Sequence, residues 1–219
     1  MESCIEVVGQ YLGVGASEAV IKPFKSPPIL HLATHGFLID YSEHSPQDHR
    51  PGAREDLQPI HTDSCWAPEA LSFANPLLRA GLGLSGANAT ARRPPEGNVD
   101  DGIITALESS GPHLWGTDLV VLSACEMGVG EISRGDGVFG LRRALQLAGV
   151  RAVIMSLWSI PDSETVAIMA DFYRSPRAGA RTARALRDAL LSRLWVRRQL
   201  TGAALLCCWG ASIAFGSPG

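Results

Sequence analysis

The sequence predicts an α/β sandwich with a mainly parallel central sheet, and three observations lead there. Short apolar runs (ILHLAT at 29–34, LVVLSA at 119–124, AVIMSLW at 152–158) are too brief for helices and end in turn residues. Of these, the run at 119–124 is continuously apolar, as a parallel strand covered on both faces is. Helical patterns separate them, which gives the alternation of a sheet with helices on its faces.

The first strand is expected over Ile29–Thr34, after Pro27-Pro28, with His35-Gly36 turning the chain at its carboxyl end. From about Asp40 to Pro68 the chain turns polar and irregular, with Ser, His, Asp and Pro crowded together, and reads as a long surface insertion. A second Pro- and Gly-rich break, Gly86 to Gly102, follows Asn75-Pro76-Leu77-Leu78. Leu119–Ala124 is the second strand and delivers Cys125 at its end. Glycines 128, 130, 135 and 137 then read as a loop, and Val138, Leu141, Leu145 and Ala148 recur at helical spacing until Gly149 stops the pattern.

Ala152–Trp158 is the third strand. Asp162 or Ser163 is placed to cap a helix carrying Val166, Met169, Ala170 and Tyr173 on one face, and Leu186, Leu190 and Leu194 mark another helix. Gly202 to Phe215 is the most apolar stretch. It is shorter than the roughly 20 residues that cross a bilayer, so it is expected to be a buried strand, with Trp209–Gly216 able to supply the last one. No internal repeat is present.

Composition narrows the function. At 219 residues with 46% hydrophobic and 19% charged side chains, the chain suits one core. A net charge of -3 gives no broad basic surface for phosphates, so nucleic acid is not an expected ligand. The seven arginines between 177 and 198 sit among helix formers and read first as a solvated helix face. Five cysteines without framework spacing, and a start with neither basic nor apolar leader regions, predict a reducing cytoplasm in which a thiolate survives. Stable membrane insertion is not expected.

Ligands of open α/β sheets bind beyond the carboxyl ends of the strands, where this sequence puts His35 and Cys125, 90 residues apart in the chain. A thiol is mostly protonated at neutral pH, so a hydrolytic cysteine gains from an imidazole that takes its proton and returns it to the leaving amine. The oxyanion formed needs donors, and the backbone amides of Gly36 and Cys125 are the candidates, since a glycine lets its N–H approach without a Cβ in the way. Strand alternation places Ser123 on the side of Cys125, making it a pocket candidate. By spacing alone, a buried structural cysteine and a satisfied histidine are the commoner reading.

Five segments together resemble a CHAT domain, of the caspase and separase group of cysteine peptidases: HLATHG (31–36), NPLLRAGLGLSGAN (75–88), DLVVLSACEMGVGE (118–131), GDGVFGLRRALQLAG (135–149) and MSLWSIPDSET (155–165). The resemblance runs from about Gly15 to Leu194, and Trp209–Gly216 resembles the closing strand of that family. It implies a caspase-like three-layer α/β/α sandwich, His35 and Cys125 as a catalytic dyad, a protein or peptide substrate and no cofactor. The domain is expected over 15–219, after an N-terminal segment 1–14, with the insertion at about 40–68. Two departures stand out. Met127 occupies a position where the family often has threonine, and the insertion lengthens the loop after the histidine. Family members are often joined to helical repeats, which nothing before Tyr11 supplies. Regulation is therefore expected from a helical-repeat or other regulatory protein, or from the rest of a longer chain.

Other candidates have plainer readings. Trp158 and Asp162 follow the third strand, where caspase-like enzymes build part of the substrate pocket, but Trp158 also suits the core and Asp162 a helix cap. His31, His35, His44, His49 and His61 match no compact zinc spacing, and Cys207-Cys208 suits core packing, so no metal is assigned. The glycines of 128–140 lack the ending of a phosphate loop, and Arg142 and Arg143 read as solvated. A caspase-like scaffold with an idle dyad is the alternative function.

Overall fold

The structure, a computed structural model, describes residues 9–38, 76–78, 80–88, 100–109, 114–123, 136–175 and 181–216. Among these the strands are β1 (Ile29–Leu32), β2 (His35–Leu38), β3 (Ala80–Gly83), β4 (Ile103–Thr105), β5 (Leu119–Leu122), β6 (Ala152–Ser156) and β7 (Ser212–Gly216). The helices are α1 (Glu18–Ile21), α2 (Ala106–Ser109), α3 (Asp136–Leu147), α4 (Asp162–Arg174) and α5 (Thr182–Thr201). The insertion at 40–68 lies outside the described residues, as does Cys125.

The three apolar runs meet in one sheet of order β1-β5-β6-β7, in which β1, β5 and β6 are parallel and β7 is antiparallel to β6. Successive strand side chains point to opposite faces, so both faces of an unbroken apolar strand must be covered. On one face Val120, Leu122, Val153 and Met155 pack with Leu141, Ala144 and Leu145 of α3. On the other, Leu119, Val121 and Ile154 pack with Ile168 and Phe172 of α4 and with Leu186 of α5. The result is the three-layer α/β/α sandwich with a mainly parallel sheet. Phe172 is fully buried, and burial of a side chain of that size contributes about 1.5–3 kcal/mol.

Several elements differ from the sequence expectation. The first strand stops at Leu32 instead of running to Thr34, and His35 opens β2 in a separate antiparallel sheet of order β2-β3-β4. His31 and His35 therefore do not share a strand face. Helix α3 starts at Asp136, so Gly137 is helical and not part of a loop. Leu141, Leu145 and Ala148 are buried as expected, and Gly149, at φ 87°, ends the pattern; the Val138 side chain lies outside what the structure describes.

Helix α4 buries Ile168, Met169 and Phe172, while Val166 is 68% exposed and Ala170 is exposed. Its buried stripe is thus rotated from the expected one, because the larger Ile168 and Phe172 take the inner face. Pro161 occupies the N-cap position, and neither Asp162 nor Ser163 caps the helix. Asp162 lies instead in the first turn, where a carboxylate complements the positive end of the helix dipole.

The stretch 202–215 is not one buried strand. Helix α5 runs to Thr201 and is closed by Gly202 at φ 72°, and the chain must then turn back before only Ser212–Gly216 pairs with β6. Cys207 is exposed and Cys208 half-buried, with their sulfurs 3.8 Å apart, so the pair does not pack the core. The arginine run is also not uniformly solvated. Arg193 Nη2 and Arg197 Nη1 donate to Glu164 at 3.0 and 2.6 Å, with all three side chains largely buried between α4 and α5. Arg142 is half-buried with its guanidinium 4.2 Å from the centre of the Phe215 ring, whereas Arg143 is exposed.

Candidate active site

A parallel strand pair ends with two chain exits side by side, and here those exits carry the candidate residues. Ser123 follows β5 directly, and its N–H donates to the Leu32 carbonyl at 2.9 Å, extending the β1–β5 ladder to the carboxyl edge. From Leu32 the chain takes a two-residue step, Ala33-Thr34, into β2. The Thr34 hydroxyl donates to the Gly83 carbonyl, which fixes the start of β2 against β3.

In that register His35 stands opposite Gly83 and Gly36 opposite Leu82. His35 is exposed and Gly36 buried. A Cβ built at Gly83 would meet the His35 carbonyl oxygen at 3.7 Å, an ordinary contact, so this pairing does not itself require a glycine there. The structure thus delivers His35-Gly36 and the segment leading to Cys125 from the ends of neighbouring strands. Cys125 and its amide, Ala124 and Met127 lie outside the described residues.

The family model of the CHAT domain matches residues 9–217. The chain belongs to the CHAT domain family. CHAT domains are caspase-like and peptidase-related. No curated protein matches the chain.

This CHAT domain places a polar cluster at the same edge that sequence reasoning did not assemble. Ser123 Oγ lies 2.8 Å from His31 Nε2, and His31 Nδ1 lies 3.1 Å from the Tyr173 hydroxyl. The two rings also pack, with centroids 5.7 Å apart. Burial holds the His31 imidazole below its ordinary pKa of 6.5 and pushes the Tyr173 phenol well up. The outer surface of His31 remains open to solvent, but its two nitrogens face protein groups, and that local crowding sets the cost of charging it. One signal was available in sequence: strand alternation sends Leu30 and Leu32 to one face of β1 and Ile29 and His31 to the other. Nothing local named Tyr173 as the partner.

Trp158 and Asp162 sit beyond the carboxyl end of β6, on the same edge of the parallel strands. The Trp158 indole N–H donates to the Cys207 carbonyl at 3.2 Å and its ring packs on the α4–α5 face of the core. That bond ties the β6–α4 loop to the turn before β7. Asp162 is exposed on the first turn of α4. Among the described residues no group of three or more His, Cys, Asp and Glu side chains is arranged to hold a metal; His44, His49 and His61 lie outside them. Among the same residues, no helix is long and apolar enough to cross a membrane.

Proposed function

We propose that this CHAT domain is a cysteine endopeptidase acting on protein or peptide substrates in a reducing, cytoplasmic setting. The observation that carries the reading is the shared carboxyl edge of β1 and β5, from which His35-Gly36 and the chain toward Cys125 both emerge. In the reaction His35 takes the Cys125 proton, and the thiolate attacks the scissile carbonyl carbon. The amides of Gly36 and Cys125 hold the resulting oxyanion. Collapse of the intermediate breaks the C–N bond, and the His35 imidazolium protonates the departing amine. Water, deprotonated by His35, then hydrolyses the thioester, releasing the carboxylic acid product and restoring the thiol. No cofactor takes part, and a helical-repeat or other regulatory protein is the expected trigger. Trp158 and Asp162 are the outer substrate contacts in this reading.

Two measurements on purified wild type, Cys125→Ala and His35→Ala test it. A diverse peptide pool, incubated with and without cell lysate and read by mass spectrometry, should show cleavage that both variants lose. Alkylation should label Cys125 faster than Cys4, Cys65, Cys207 or Cys208, with a rate that falls in His35→Ala. Absence of cleavage under both conditions, together with a Cys125 no more reactive than the other thiols, refutes the peptidase and leaves a scaffold.

A further inference from the structure

The turn between α5 and β7 holds two cysteines that neither the core nor the candidate active site uses. Cys207 and Cys208 end the short 3₁₀ turn Leu206–Cys208, with Cys207 exposed, Cys208 half-buried and their sulfurs 3.8 Å apart. The peptide group that joins them is held on both sides. Its carbonyl, from Cys207, accepts the Trp158 indole N–H at 3.2 Å, and its N–H, from Cys208, donates to the Leu205 carbonyl at 3.0 Å. We propose that Cys207 and Cys208 form a redox modification site, which a low-molecular-weight disulfide such as glutathione disulfide converts reversibly into a disulfide between neighbours, releasing Trp158. The site is independent of Cys125 and of the proposed peptidase.

The chemistry is a two-step exchange. The Cys207 sulfur, as thiolate, attacks one sulfur of glutathione disulfide and expels a glutathione thiolate, which takes up a proton. The Cys208 sulfur, on losing its own proton, attacks the Cys207 sulfur and expels the second glutathione. Two protein thiols have then lost two electrons and two protons, and the oxidant has become two thiols. Exposure makes Cys207 the entry point; the Cys208 thiol, pushed up first by its hydrogen bond with Cys207, reacts second from beside it. Consecutive Cα atoms lie about 3.8 Å apart, less than the roughly 4.4–6.8 Å that an ordinary disulfide spans, so the eight-membered ring is strained. Strained, exposed disulfides are the ones that thiols reopen readily, which makes this bond a reversible mark and not a structural brace. The ring contains the Cys207–Cys208 peptide itself. Drawing the sulfurs from 3.8 Å to bonding distance therefore turns that peptide and withdraws its carbonyl from Trp158. The Leu157 N–H keeps the Ala211 carbonyl at 2.9 Å, so β7 stays on β6 while the Trp158 end of the β6–α4 loop is let go.

The test follows both the sulfurs and the indole. Reduced wild-type protein is equilibrated in glutathione buffers of rising disulfide content, free thiols are trapped with N-ethylmaleimide, and the protein is digested with trypsin. Everything after Arg198 is then one peptide, in which Cys207 and Cys208 are the only cysteines. As the disulfide form comes to dominate, that peptide should take up no maleimide, carry no glutathione and be two hydrogens lighter than the dithiol, and excess reduced glutathione should restore both thiols. In Cys207→Ser and Cys208→Ser the remaining cysteine should instead hold glutathione. The Trp158 indole N–H resonance, assigned by its loss in Trp158→Phe, should shift when wild type is oxidised and return on reduction. Its exchange with solvent should accelerate severalfold, as the loss of one hydrogen bond produces. Two free thiols in the most oxidising buffer, a wild-type peptide that stops at the glutathione adduct or pairs with another cysteine, a closed form that excess glutathione leaves closed, or an indole signal unmoved by closure each overturns the proposal.

Discussion

Replacing Glu18 should loosen the small sheet that carries His35. Glu18 is 1% exposed, and its Oε1 accepts the N–H groups of Gly102 and Ile103 at 2.5 and 3.0 Å. Its Oε2 meets the Lys22 ammonium at 2.5 Å, and Lys22 in turn reaches Asp100 at 2.6 Å. The Lys22 end is half-exposed, so that pair contributes less than about 1 kcal/mol. The larger effect is at the backbone. Glu18→Ala strips the buried Gly102 N–H of its acceptor, whereas the Ile103 N–H keeps Asp101 Oδ1 at 2.8 Å, so about 1–3 kcal/mol is expected. Glu18→Gln keeps a carbonyl oxygen for both amides but turns an NH2 toward Lys22, for a loss of about 1–2 kcal/mol. In urea, with a slope of about 2 kcal/mol/M, Glu18→Ala should lower the midpoint by about 1 M. Amide exchange at Gly102 should accelerate first, and the loosening then reaches β4, which starts at Ile103 and holds β3 and through it β2. A midpoint within about 0.3 M of wild type, or unchanged exchange at Gly102, would refute the reasoning.

Two further outcomes follow from single residues. Gly149 has φ 87°, and a Cβ there would lie 2.5 Å from Trp115 Cε3, so Gly149→Ala should lose at least about 2 kcal/mol and alter the near-ultraviolet signal of Trp115; a loss under about 0.5 kcal/mol contradicts the assignment. His31 has its pKa lowered from 6.5 by burial, so between the folded and unfolded values the unfolded chain binds more protons and stability rises with pH. Wild type should therefore lose stability as pH falls below about 6.5, and His31→Gln should lose less over the same range; parallel urea midpoints from pH 7.5 to 5 would contradict this.

What was legible in the sequence is what rests on local period. The run of β5 is apolar at every position, β1 and β6 depart from that only at His31 and Ser156, and Leu141, Leu145 and Ala148 repeat at helical spacing before a glycine, so sheet, helix and stop could be read directly. The small sheet was not legible. Ala80–Gly83 is half glycine and Ile103–Thr105 is three residues long, and such strands form only because each has a partner already in place. For the same reason the boundary at His35 was missed: Thr34 looks like the end of one strand until its hydroxyl finds Gly83. At the candidate site, His35, Gly36 and Ser123 were singled out from their expected places near the carboxyl ends of strands, although His35 and Gly36 in fact open β2. Tyr173 was not, because it meets His31 from 142 residues away, and helix rotation about the Ile168–Phe172 stripe decides where its hydroxyl points.

The step from β1 to β2 makes the placement of His35 a matter of counting. Side chains alternate along a strand, so sliding β2 by a single residue against β3 would send the imidazole to the opposite side of its sheet. No intermediate setting exists. With four residues in β2 facing four in β3, the ladder alone discriminates weakly between neighbouring alignments, and the Thr34 side chain on Gly83 adds a tooth that fits only one. A hydroxyl that touches no substrate thereby acts as an indexing pin, and the position of the ring responds to errors in whole notches.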